Sequence, residues 1–161
     1  MKFVRPNGGI IYISSDPLEE LLSFRQLENS TPESGGMILG RIIRDSNDVV
    51  IDEITTPDKA DKKSRFSFFR RRENAQRQVK KAWSKSKGTC LYLGEWHTHP
   101  EDVPSPSTTV DIPNWNRIAE RAIYEQDFLV FLIVGRMHSN MWELCKNSDR
   151  ISLLKPLDSN T

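Results

Sequence analysis

A chain of 161 residues, 37% hydrophobic and 28% charged, is long enough to bury roughly 70% of the surface its unfolded form exposes, and one domain over residues 1–161 is the simplest expectation. No apolar run approaches the ~20 residues that span a bilayer, and 23 basic against 22 acidic residues leave a net charge of +1, which excludes a global field for nucleic acid or an anionic membrane. The opening residues, Met1-Lys2-Phe3-Val4-Arg5-Pro6-Asn7-Gly8, carry no signal-peptide pattern, so a cytoplasmic location is expected, with Cys90 and Cys145 as reduced thiols in apolar, strand-like surroundings.

In chain order, Ile10 to Ser14 reads as a strand, and Ser15-Asp16-Pro17 supplies a cap and a first-turn proline for a helix with the apolar stripe Leu18, Leu21, Leu22 and Leu27. Two strands, from Gly36 to Ile43 and from Val49 to Ile54, form a hairpin across the polar turn Asp45-Ser46-Asn47-Asp48. Residues 55 to 64 read as a loop, Phe66-Ser67-Phe68 as a short strand, and residues 72 to 86 as a second helix ended by Gly88. The basic run Arg70-Arg71-Arg72, continued by Arg77, Lys80, Lys81, Lys85 and Lys87, lacks an interleaved aromatic series and reads as a solvated helix face, not a nucleic-acid patch.

Leu91 to His97 is a strand running into His97-Thr98-His99-Pro100, and a third helix is expected from about Thr108, capped through Thr108 and Asp111, past Trp115 and Ile118 to near Glu125. Phe128 to Val134 is a continuous apolar run, the pattern of a central strand covered on both faces, and two more strands follow at residues 141–145 and 151–154. The order of elements predicts an α/β chain: a mixed sheet with helices packed on its faces.

The chemistry concentrates at the strand end. Residues at i and i+2 of a strand project to one face, so His97 and His99 can turn ring nitrogens toward one ion, with Asp111 completing a three-ligand set. Three protein ligands and one open position describe a catalytic zinc, which polarises a carbonyl and lowers the pKa of water to about 7, enough for attack on an amide. Amide hydrolysis also needs a carboxylate outside the ligand set to move the proton. Glu95, on the histidine face, and Glu33, ahead of Gly35-Gly36, are both candidates, and spacing alone does not choose between them. Glu101 and Asp102 read as solvated loop positions, and His138, in a turn, is assigned no role.

Glu33-x-x-Gly36, His97-x-His99-Pro100 and Thr108-x-x-Asp111, in that order over about half the chain, resemble the JAMM motif of the MPN (JAB) metallopeptidases. The resemblance implies the MPN (JAB, cytidine-deaminase-like) fold with a mostly antiparallel mixed sheet, one catalytic Zn2+ on His97, His99 and Asp111, Glu33 as the acid/base, and a hydroxyl at Thr108 that stabilises the oxyanion. Serine is usual at that position, and the segment from Pro100 to Asp111 is slightly long, so Ser107 is the alternative hydroxyl.

Within the superfamily, Gly94 to Pro100 and Pro104-Ser105-Pro106-Ser107 look most like bacterial JAMM proteins of CBASS anti-phage operons. That resemblance implies a deubiquitinase-like isopeptidase whose protein substrate presents an extended C-terminal tail: a cyclic-nucleotide synthase conjugated to its target by an E1/E2-like protein. The alternatives are a processing protease for another ubiquitin-like protein and a non-catalytic MPN scaffold subunit, the latter opposed by intact Glu33, His97, His99 and Asp111. Other classes fit poorly: there is no His-Glu-x-x-His helix, no Pro-Cys-x-x-Cys, and no motif-level histidine partner for Cys90.

Overall fold

A computed structural model describes residues 1–57, 62–64, 67–69, 72–148 and 150–157. Through these the chain runs β1 (Lys2–Val4), β2 (Ile10–Ile13), α1 (Ser15–Ser23), β3 (Gly35–Ile42), β4 (Val49–Ile54), β5 (Lys62–Ser64), β6 (Ser67–Phe69) and α2 (Arg72–Lys85). It continues through β7 (Leu91–Thr98), α3 (Asp111–Arg121), β8 (Phe128–Val134), β9 (Ser139–Cys145), β10 (Arg150–Leu153) and β11 (Lys155–Pro156). Nine strands form one sheet in the order β10-β9-β8-β7-β3-β4-β2-β1-β11, with β5 and β6 a separate hairpin. Among the described strands only β2/β4 and β7/β8 pair in parallel, so the mixed, mostly antiparallel α/β sheet that was expected is present.

All seven residues of β8 are buried. Strand alternation sends Leu129, Phe131 and Ile133 to the face where Trp115 of α3 packs, and Val130, Leu132 and Val134 to the core shared with Leu21 of α1. Likewise, Met37 and Leu39 of β3 meet Val79 and Ala82 of α2, while Ile38 joins the α1 core. One helix therefore covers one face and two cover the other.

A bulge sets which side chains of β7 reach the α2/α3 face. The β3/β7 register passes from Ile38 opposite Gly94 to Leu39 opposite Tyr92, leaving Leu93 as the extra residue. Leu93 and Trp96 consequently enter the α1 core, whereas Tyr92 packs against the clusters under α2 and α3. Gly94 makes the bulge possible: its φ is +150°, and a Cβ there would collide with the Val130 carbonyl.

Several boundaries differ from the sequence reading. The helix α1 ends at Ser23, so Leu27 lies beyond it and is 62% exposed instead of completing a stripe; Ser14 holds the cap position without a side-chain cap bond. The strands β1 and β11, too short to show alternation, were not expected, although Phe3 is buried in the main core. Part of the expected loop is β5, and the short strand falls at Ser67–Phe69; Phe66, Arg70 and Arg71 lie outside the described residues. Gly88, at φ +83°, closes α2 by donating its N–H to Trp83 at 2.8 Å, and Asp45 takes a left-handed conformation in the β3–β4 turn. Both cysteines are free, and no helix among the described residues is long and apolar enough to cross a membrane.

Candidate metal centre

Backbone pairing past the regular ends of two strands builds the site. Thr98, fully buried, donates its N–H to the Ser34 carbonyl at 2.9 Å and accepts the Ser34 N–H on Oγ1 at 2.9 Å; His99 donates to the Val134 carbonyl at 3.0 Å. Gly35 stands opposite His97 in the antiparallel ladder, so the same register carried two residues outward brings Glu33 beside His99. Directly opposed residues of an antiparallel pair share a face, which turns the Glu33 carboxyl toward both rings.

Four side chains converge there. The Nε2 atoms of His97 and His99 lie 3.0 Å apart. One Asp111 oxygen is 3.3 Å from His97 Nε2, and the other is 3.3 Å from His99 Nε2. Ligand atoms around a four-coordinate ion with bonds of about 2.0–2.1 Å stand about 3.3 Å apart, so two ring nitrogens 3.0 Å apart with a carboxylate oxygen 3.3 Å from each have the spacing of donors to one ion. Glu33, His97 and His99 also form a group whose ligand atoms lie within 4.8 Å of one another, so Glu33 approaches the rings from next to these donors. These donors fit a metal ion.

Electrostatics match the packing. Burial pushes the Glu33 carboxyl up to about 8, with Asp111 and Glu101 adding to the rise and His99 opposing it. Burial also acts to raise Asp111, but bonds to His97 and His99 outweigh it and hold the carboxylate well below its usual range. For His99, burial works against the charged ring, and the Asp111 carboxylate overcomes it and raises its pKa.

The loop from Pro100 to Asp111 corrects two expectations. The helix α3 starts at Asp111 with Val110 in the cap position and no side-chain cap bond, and in place of the expected Thr108–Asp111 link Ser107 donates its N–H to Asp111 Oδ2 at 2.6 Å, while its Oγ accepts the N–H groups of Thr109 and Val110 at 3.3 and 3.2 Å. Thr108 is exposed in the preceding turn. An i to i+4 relation thus stands where i to i+3 was expected. The helix also ends at Arg121, short of Glu125, where Ala122 turns extended.

Glu101 is the second correction. It is no merely solvated residue, because its Oε2 lies 3.1 Å from His99 Nδ1. The i to i+2 spacing of Glu101 from His99 is the signal that could have drawn attention to it. Glu95, by contrast, stays about 7 Å back along the strand from His97; it accepts a 3.3 Å bond from the Tyr92 hydroxyl and lines a groove of 770 Å³ between α2 and α3. Asp102 pairs with Arg136 at 2.9 Å, and His138 lies in the β8–β9 turn that receives that loop.

The family described as prokaryotic homologs of the JAB domain matches residues 16–145. A protein of Vibrio cholerae serotype O1 named CD-NTase/cGAS isopeptidase is 38% identical over 150 residues, covering 93% of this chain and 90% of its own length. Proteins of the same name from Escherichia coli and Pseudomonas aeruginosa are 35% and 33% identical, over 90% and 94% of this chain and 87% and 93% of theirs. The solution structure of a Desulfitobacterium hafniense protein superposes with a TM-score of 0.57 at 20% identity, covering 89% of this chain and 88% of that one, a likeness of fold.

Proposed function

The chain belongs to the prokaryotic homologs of the JAB domain, and on that premise we propose that it is a zinc-dependent isopeptidase working as one domain over residues 1–161. The observation that carries the reading is the cluster of His97, His99 and Asp111, with the two Nε2 atoms 3.0 Å apart, one Asp111 oxygen 3.3 Å from each ring nitrogen, and buried Glu33 beside it. In this reading His97, His99 and Asp111 would hold the zinc. Bound there, zinc would supply Lewis acidity to polarise the amide carbonyl and to make water acidic enough to attack it near neutral pH.

The protein's own groups move the proton. Glu33 accepts a proton from the attacking water and delivers it to the leaving nitrogen, so the carbon–nitrogen bond breaks to a carboxylic acid and a free amine. Its burial beside the two histidine rings shields the proton from exchange with bulk water between the two transfers. The Ser107 hydroxyl, on the residue bonded to Asp111, stabilises the oxyanion in preference to that of Thr108, whose expected capping relation to Asp111 is absent.

The substrate follows from the relatives. Proteins that share about a third or more of their residues with this chain are named CD-NTase/cGAS isopeptidases. We therefore infer that the bond cut joins the C-terminus of a cyclic-nucleotide synthase to an amine of its target, placed there by an E1/E2-like protein, and that cutting it reverses conjugation in CBASS anti-phage defence. The purified chain should release free synthase from a synthase–lysine conjugate. An intact conjugate after prolonged incubation with zinc-loaded protein would refute the substrate assignment.

A further inference from the structure

We propose that Glu101 is a positioning residue that fixes the ring of His99, and that the turn between β8 and β9 holds Glu101 in place to do so. The inference rests on the metal reading above. The Glu101 side chain is 54% exposed, so packing does not confine it, yet its carboxylate stands 3.1 Å from His99 Nδ1. A proton on Nδ1 donated to this carboxylate leaves the Nε2 lone pair facing His97 and Asp111, the tautomer a metal ligand requires.

The restraint comes from the backbone. Arg136 donates its N–H to the Glu101 carbonyl at 2.8 Å, and His138 and Met137 donate theirs to the Asp102 carbonyl at 2.9 and 3.3 Å. The Arg136 guanidinium adds a 2.9 Å ion pair to Asp102. Gly135 closes this turn with a 2.9 Å bond from its N–H to the His138 carbonyl, and it must be glycine for the approach: a Cβ there would stand 2.7 Å from both the Glu101 carbonyl oxygen and Pro104 Cδ. A turn more than thirty residues along the chain thus sets where the Glu101 side chain begins.

The test is zinc affinity, measured by competition with a chromophoric chelator, together with thermal unfolding of the zinc-free protein. Glu101→Ala should weaken zinc binding about 10- to 100-fold and leave zinc-free unfolding near that of the parent, with Glu101→Gln, which keeps an acceptor oxygen, recovering part of the loss. Gly135→Ala should reproduce the weakening and add little on top of Glu101→Ala, because both act on one ring. Affinity of Glu101→Ala within about twofold of the parent, while His99→Ala abolishes binding, would overturn the role of Glu101 alone. Affinity unchanged in His99→Ala would instead overturn the metal reading.

Discussion

Gly36 lies directly across the ladder from Trp96, whose indole Nε1 donates to the Thr55 carbonyl at 3.0 Å; a Cβ on Gly36 would run into that carbonyl and stand 2.7 Å from Nε1. The obstacle is backbone, which cannot swing aside as a flexible side chain can. Gly36→Ala should therefore lower stability by about 2–4 kcal/mol in denaturant unfolding. It should also weaken zinc binding, since the same ladder sets Gly35 against His97. An unchanged midpoint would show that the strands can part there without loss.

Glu33→Gln removes the proton carrier without touching the three donors. Zinc content should stay at one per chain, while turnover falls by about 10²- to 10⁴-fold. Glu95→Gln should stay near the parent, because Glu95 bonds Tyr92 outside the cluster. Steady-state cleavage with metal analysis decides between them, and the reverse pattern would move the acid/base role to Glu95.

Ser107 and Thr108 are separable by the same assay. Ser107→Ala should reduce kcat by about 10²-fold or more through loss of the oxyanion hydroxyl. It should also loosen the start of α3, where the Ser107 Oγ accepts two backbone N–H groups. Thr108→Ala, altering an exposed turn residue, should leave kcat close to the parent. A large loss in Thr108→Ala with a silent Ser107→Ala would restore the i to i+3 assignment.

Stability of the metal-free protein should depend on Glu33. Its folded pKa, about 8, lies above the unfolded value near 4.5, so the folded state binds the proton more tightly. The stability this contributes is fully present below pH 4.5 and is lost as pH rises through about 8, at up to ~1.4 kcal/mol per pH unit. His99, also raised, acts in the same direction above its ordinary range. Unfolding midpoints from pH 5 to 8 should fall in the chelated parent and fall less in Glu33→Gln; identical slopes would contradict the burial of the Glu33 charge.

How much of this was legible in the sequence depended on the range of the interaction. The shared face of His97 and His99 follows from strand alternation, and the apolar run of β8 announces a central strand. The choice of Glu33 over Glu95 does not follow from local pattern, because it depends on the β3/β7 register, a pairing between segments some sixty residues apart. The bulge at Leu93 is similarly hidden, since only the close approach of Val130 reveals what Gly94 is for. Ser107 was obscured because its bond to Asp111 spans four residues and not the three of a capping box, and Glu101 by its place in a polar loop where exposure is the usual explanation.

The most direct measurement is cleavage of a synthase–lysine conjugate by the same preparation before chelation, after complete metal removal, and after zinc is returned. The His97, His99 and Asp111 cluster predicts that activity disappears with the metal and returns at about one zinc per chain, with no return in His97→Ala. Cleavage that persists in protein shown to be metal-free, or that returns fully in His97→Ala, would contradict the account.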